Sequence, residues 1–208
     1  MSSRTRPGLP TIAACGRRSF LQISLASLAL STLGGRAFAM ADHPAVPIAK
    51  AGLQSMGCKV AHADVVGVAD FAQPSRVPRL HLVDLAGGEV ATLLVAHGRG
   101  SDPEHTGWLQ NFSNRPGSGA TSQGHYLTGA DYLGAHGRSM RLKGLDASNN
   151  NAEARGIVVH SAWYVGSDTV RERGMLGRSE GCFAVSQGDL AQVLDRLGPG
   201  RLLIATKL

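Results

Sequence analysis

The sequence predicts a mainly β, sandwich-like single domain with a few short helices. Short β-branched runs bounded by Gly, Pro and Asp recur along it, and only two stretches carry a helical pattern closed by glycine. The 43% apolar content over 208 residues is enough for one core. Residues 40–64 suggest a tether followed by a helix, with Ile48, Leu53, Met56 and Val60 loosely periodic. The strand pattern begins at Val65-Val66-Gly67-Val68; residues 80–85, a Gly87-Gly88 turn and residues 90–96 then predict a hairpin. Residues 96–126 are rich in Gly, Ser, Pro and Asn. So long a stretch without hydrophobic period inside a compact domain predicts a binding loop or lid. Further strands are expected at 125–128, 139–142, 157–161, 183–185 and 202–206, and a helix at 148–155 closed by Gly156. A second helix is expected at 187–197. There Leu190, Val193, Leu194 and Leu197 share a face, Ser186 and Asp189 make a capping-box-like start, and Gly198-Pro199 makes a stop.

The formal charge of +6 would suit a nucleic-acid partner, but it is concentrated at one end. Residues 1–39 hold Arg4, Arg6, Arg17, Arg18 and Arg36 and no acid; without them, 16 basic residues face 15 acidic ones. That balance removes the support for nucleic-acid binding. The same segment has a positive start, an apolar stretch over 20–33 and a small-x-small site at Ala37-Phe38-Ala39, which together predict a signal peptide over 1–39. Arg17-Arg18-Ser19-Phe20-Leu21 resembles the twin-arginine export signal, although an ordinary secretory signal containing two arginines remains the alternative. Either route implies a periplasmic or cell-envelope location. No later run approaches the roughly 20 apolar residues of a membrane span, so none is expected after cleavage.

Cleavage would remove Cys15 and leave Cys58 and Cys182. In an oxidising compartment a disulfide between these two is the simplest reading, and sequence alone leaves it open. Cys58 otherwise suggests a small buried or half-buried residue near a helix end. Cys182 stands on a glycine-flanked turn, Gly177-Arg178-Ser179-Glu180-Gly181-Cys182, while His160 ends the β-branched run Ile157-Val158-Val159. A thiol on a turn and an imidazole at a strand end suit a nucleophile and its base in acyl transfer. For a lone cysteine and a strand-end histidine, the competing reading is simple burial in a core.

From about residue 65 onward these and other landmarks resemble the L,D-transpeptidase catalytic-domain family of murein enzymes, in its divergent second branch. They are His97-Gly98-Arg99-Gly100, Phe112-Ser113-Asn114, Gly124-His125-Tyr126, the run from Tyr132 to Ser139, the run from Asn151 to His160, and the Cys182 turn. The resemblance implies that residues 65–208 form the catalytic domain, that Cys182 is the nucleophile and His160 the general base. It also implies that the Ser161 backbone carbonyl orients the imidazole. Peptidoglycan tetrapeptide stems would be donor and acceptor, with no metal or cofactor. Backbone N–H groups at Gly181 and Cys182 are candidate oxyanion donors. Substrate contact is expected from Arg178, Ser179, His136, His97, Tyr126 and Asn114. Glu180 and Ala184 stand where the main branch carries a histidine and an arginine, and Phe183 where the divergent branch often has proline. Recognition of the substrate carboxylate is therefore open among Arg178, Arg138 and Arg99.

Other activities fit less well. Three histidines and a cysteine could make a zinc site, but the spacings contain no short ligand pair. Wall-hydrolase cysteine peptidases generally place cysteine before histidine, the reverse of this order. A carboxypeptidase on the same stems, or a non-catalytic wall-binding module, would share the scaffold; both keep the expected partner and change only the chemistry.

Overall fold

Eight strands form one sheet in the order β3-β2-β1-β8-β4-β5-β6-β7. The computed structural model describes residues 40–208, and the predicted signal segment 1–39 lies outside the described residues. The strands are β1 Val65–Asp70, β2 Leu80–Asp84, β3 Glu89–Leu93, β4 Gly124–Gly134, β5 Gly137–Gly144, β6 Val158–Ser161, β7 Phe183–Val185 and β8 Leu202–Thr206. The helices are α1 Ala45–Met56, α2 Ser167–Arg173 and α3 Leu190–Arg196. Most pairs are antiparallel, while β1–β8 and β6–β7 run parallel. Past β3 the chain crosses to the far edge of the sheet: the Ala96 amide donates to the Ala184 carbonyl at 2.8 Å, and the Arg99 amide to the Ser179 carbonyl at 2.7 Å. The sheet thereby curls almost into a barrel, and the segment after β3 covers the β7 edge.

The mainly β expectation holds, and the core explains its sandwich-like pattern. Inside the curl, Leu80 and Leu82 of β2 and Leu203 of β8 pack with Met140 and Leu142 of β5, Val159 of β6 and Phe183 of β7; Val193, Leu194 and Leu197 of and beside α3 belong to the same cluster. On the outer face of β1 and β8, Val66, Val68, Leu202 and Ile204 meet Ala45, Val46 and Ala49 of α1. The predicted tether is therefore largely a packed helix. Its start tolerates Pro44 and Pro47 because the first-turn amides have no intrahelical acceptor to lose.

Two helical expectations change. Residues 148–155 form successive turns instead of a helix. Their asparagine side chains take backbone partners elsewhere: Asn149 Nδ2 donates to the His125 carbonyl at 2.8 Å, and Asn151 Nδ2 to the Asn114 carbonyl at 3.0 Å. In the second case α3 begins at Leu190, three residues later than expected. Ser186 nevertheless serves as anticipated, its Oγ accepting from the Asp189 amide at 3.0 Å and pairing with the Asp189 carboxylate at 2.6 Å. Helix α2 was not anticipated, because its one apolar side chain, Val170, gives no period. Its readable signals are the basic last turn and Gly174, which closes it at φ 74°.

Candidate active site

The parallel β6–β7 ladder fixes the centre of the site. Val159 pairs with Phe183, His160 with Ala184 and Ser161 with Val185, so the residue before Phe183 lies beside Val158. Side chains alternate along strands. Val159 and Phe183 enter the core, while His160 and Cys182 fall on the opposite face, two register positions apart on neighbouring strands. Ala184 and Ala96 pack on this face with Ala162, Val165 and Leu176 from the β6–β7 connection, giving the pair an apolar floor.

The His160 ring is buried at 3% exposure, and its Nδ1 lies 2.9 Å from the Ser161 carbonyl. A carbonyl only accepts, so Nδ1 carries the proton and Nε2 holds the lone pair a general base needs. His136, in the β4–β5 turn, stacks on His160 with ring centroids 4.3 Å apart and planes 20° from parallel. Burial lowers the His160 pKa below its ordinary value; the hydrogen bond to Ser161 partly opposes this, and the His136 charge reinforces it. A neutral, tautomer-defined imidazole follows.

Cys182 is 7% exposed, and its sulfur lies 3.6 Å from the Gly156 carbonyl. Burial raises its thiol pKa, while a hydrogen bond from the Val158 amide and the Arg155 charge pull it down and Glu180 pushes it up. The turn leading to it is held by Ser179, whose hydroxyl donates to the Cys182 carbonyl at 2.7 Å and accepts from the Gly181 amide at 3.2 Å. Gly181 has φ +116°, and a Cβ there would sit 2.6 Å from the Ala120 carbonyl oxygen; only glycine fits without rearrangement. The Gly181 amide proposed for the oxyanion is thus bound to Ser179 at rest. Cys58 and Cys182 are both unpaired, so no disulfide joins them, and Cys58 is exposed, not buried as expected.

The residues expected at the substrate are not all gathered here. His136 and Ser179 adjoin the pair. Tyr126 does not: it is wholly buried, its hydroxyl donates to the Ser122 carbonyl at 2.7 Å and its ring abuts Phe183, which makes it a core residue. His97 is 1% exposed and accepts at Nδ1 from Arg79 Nη2 at 2.7 Å. Arginine has no acceptor, so the His97 proton sits on Nε2, which approaches Asp102 Oδ2 at 3.4 Å without a hydrogen-bond partner. Burial, then the neighbouring Arg79 charge, push the His97 pKa down to about 3. Arg79 is itself fully buried, and burial brings its pKa down to about 9. His97 therefore belongs to a buried network below the site. Asn114 ties two loops together, donating to the Ala147 carbonyl at 3.0 Å and accepting from the Asn151 amide at 3.2 Å. Among the described residues, no group of three or more His, Cys, Asp or Glu side chains is arranged to hold a metal.

The three arginines considered for the substrate carboxylate have other partners. Arg178 donates to the Asp102 and Pro103 carbonyls, Arg99 pairs with Glu180 at 2.6 Å, and Arg138 pairs with Asp131 at 2.7 Å and Asp195 at 3.5 Å. Arg155, which the sequence offered only as part of the run ending at His160, lies against the cysteine turn: a Cβ on Gly181 would be 3.1 Å from its Nη2. The loop over 113–122 wraps its guanidinium. Instead of a free lid, that stretch is pinned in place. Tyr164, in the connection after β6, also faces this region: burial, reinforced by the Cys182 and Glu180 charges, raises its pKa to about 12.

The curled β domain thus presents a buried thiol and a tautomer-fixed imidazole on one face of adjacent strands, the pair of groups that cysteine acyl transfer employs. The sequence profile of L,D-transpeptidase catalytic domains matches residues 41–205, and the chain belongs to that family. No curated protein matches the sequence. Solved structures similar to it include an L,D-transpeptidase from Mycobacterium smegmatis, at 18% identity over 68% of this chain and 58% of that one, TM-score 0.42. Another is L,D-transpeptidase 3 from Mycobacterium tuberculosis in complex with a faropenem-derived adduct, at 16% identity over 69% and 60%, TM-score 0.44. A third is the helical cell shape determining protein Pgp2 from Campylobacter jejuni, at 11% identity over 76% and 54%, TM-score 0.44. The chain spans less than two thirds of the length of each of these three.

Proposed function

We propose that the protein is an exported cysteine-dependent murein L,D-transpeptidase acting on peptidoglycan stem peptides through a thioester acyl-enzyme. The observation that carries this reading is the placement of His160 and Cys182 on one face of the β6–β7 ladder, with His160 Nδ1 tied to the Ser161 carbonyl. In the reaction, His160 Nε2 takes the Cys182 proton, and the sulfur attacks the carbonyl between an L-centre and a D-amino acid. The C–N bond breaks as the imidazolium returns its proton to the leaving D-alanine amine, leaving a thioester. An amine on a second stem then attacks the thioester, forming the new amide and releasing the thiol.

The raised thiol and lowered imidazole pKa values favour a resting pair with both partners neutral. The Val158 amide, beside the sulfur, supports charge there as the proton moves. Because the Gly181 amide rests on Ser179 Oγ, its service to an oxyanion requires the substrate oxygen to displace that hydroxyl.

The test is mass spectrometry of muropeptides after incubating residues 40–208 with tetrapeptide-rich sacculi. Crosslinked dimers with loss of D-alanine support the reading, uncrosslinked tripeptides indicate carboxypeptidation, and an unchanged profile sinks both. In parallel, Cys182→Ala abolishes covalent labelling by a carbapenem and all turnover. Export is tested separately, by replacing Arg17 and Arg18 with lysine and following the processed form in the periplasm; undiminished processing would argue against the twin-arginine route.

A further inference from the structure

Arg155 occupies an unusual electrostatic position. Nη1 donates to the Ser113 carbonyl at 2.8 Å and to Ser122 Oγ at 2.7 Å, while Nη2 donates to Ser118 Oγ at 3.3 Å and to the Ala120 carbonyl. All four terminal N–H bonds are thus directed at neutral oxygens. Among the described residues no carboxylate pairs with this guanidinium, whereas Arg99, Arg138, Arg171, Arg196 and Arg201 each have at least one. It is half-buried and rests against Gly181, one residue from the sulfur. Four neutral partners fix the geometry of a cation without cancelling its charge. A charge held in a partly desolvated crevice acts more strongly on its neighbours than one in bulk water.

We propose that Arg155 is the positioning residue that supplies the positive charge of the Cys182 crevice, favouring the anionic form of the sulfur and the approach of carboxylate-bearing substrates. The chain thereby obtains from the loop before β6 a charge that Ala184, two residues beyond the cysteine, cannot offer. The other groups facing the thiol do not duplicate it. Glu180 opposes it and is paired with Arg99, Tyr164 is neutral, and His160, with His136 stacked on it, is held neutral by burial. The inference rests on Cys182 being the nucleophile, but its test requires no peptidoglycan turnover and can fail independently of the transpeptidase reading.

The test uses the full chain, with alkylation of individual cysteine peptides followed by mass spectrometry at mildly alkaline pH, where His160 is uncharged. Iodoacetate and iodoacetamide are compared as anionic and neutral probes, and exposed Cys58 in the same chain is the internal reference. Arg155→Gln lowers the iodoacetate-to-iodoacetamide rate ratio at Cys182 by roughly fivefold or more, without changing it at Cys58. It also moves the pH midpoint of iodoacetamide alkylation at Cys182 upward. Arg155→Lys keeps most of both properties, because the charge survives although the fork of hydrogen bonds does not. A folded Arg155→Gln protein with an unaltered ratio and midpoint overturns the proposal. Should that variant not fold, salt on the wild-type chain decides: the anionic preference at Cys182 falls with ionic strength more than at Cys58, and a salt-independent preference overturns the proposal equally.

Discussion

Replacing His97 by glutamine tests whether a histidine at the foot of the site is kept neutral by folding. In the native protein the ring accepts from Arg79 and has a pKa of about 3, against an ordinary 6.5. A depressed folded-state value means that between these limits the unfolded chain binds a proton that the folded chain refuses. The stabilisation is complete above pH 6.5 and is lost as pH falls towards 3. One proton of difference corresponds to a slope of about 1.4 kcal/mol per pH unit, so the window from 6.5 to about 3 is worth on the order of 5 kcal/mol. That is a large share of the roughly 5–15 kcal/mol stability of an ordinary domain. Glutamine keeps an amide oxygen for Arg79 but cannot titrate. Urea unfolding of both proteins should therefore give stability curves that converge on acidification, by roughly 2–3 kcal/mol over about two pH units below 6.5. Contributions from His81 and His160, whose pKa values are also lowered, have the same sign and cancel in the difference. Parallel curves would refute the assignment of a neutral, Arg79-bound ring, whatever the absolute stability of the variant at neutral pH.

Three further outcomes are expected. Gly181→Ala forces a side chain into a positive-φ turn and against the Ala120 carbonyl, costing roughly 2 kcal/mol or more, and carbapenem acylation should fall more steeply than thermal stability; an unperturbed acylation rate would contradict the observed packing. Ser179→Ala leaves the Gly181 amide and Cys182 carbonyl without their shared partner, for a loss of about 1–3 kcal/mol measurable by chemical denaturation. Acylation by a carbapenem should show an acid limb below the ordinary histidine value, since burial and His136 both lower the His160 pKa; His136→Ala should move that limb upward, and a downward or absent movement would count against the stacked pair.

The sequence carried much of the sheet, because strands such as Val65–Asp70 and Leu202–Thr206 are rich in β-branched and aliphatic residues and flanked by turn formers. The placement of His160 and Cys182 on one face was legible for a related reason: His160 lies in a short strand and Cys182 adjoins one, and strand alternation sets the face each occupies. Residues 148–155 misled because glycine closure suggested a helix while three consecutive asparagines drew their hydrogen bonds from distant loops. His97 suggested a cleft residue because it precedes a glycine at a loop end, and Tyr126 because it stands in one of the landmarks of the family resemblance. Their burial depends on Arg79 and Phe183, contacts far away in sequence. The role of Arg155 was hidden in the same way, since its surroundings come from a loop some forty residues upstream.

The parallel pairing of β6 with β7 leaves a long excursion, residues 162–182, that departs from the imidazole and returns at the sulfur. Both ends are clamped by the ladder and Ala162, Val165 and Leu176 are packed under the site, while helix α2 between them is largely exposed. Insertions around that helix would reshape the rim of the crevice without altering the register that sets His160 beside Cys182. On the proposed acyl-transfer reading, selectivity for one acceptor over another can therefore diverge while the chemistry stays fixed.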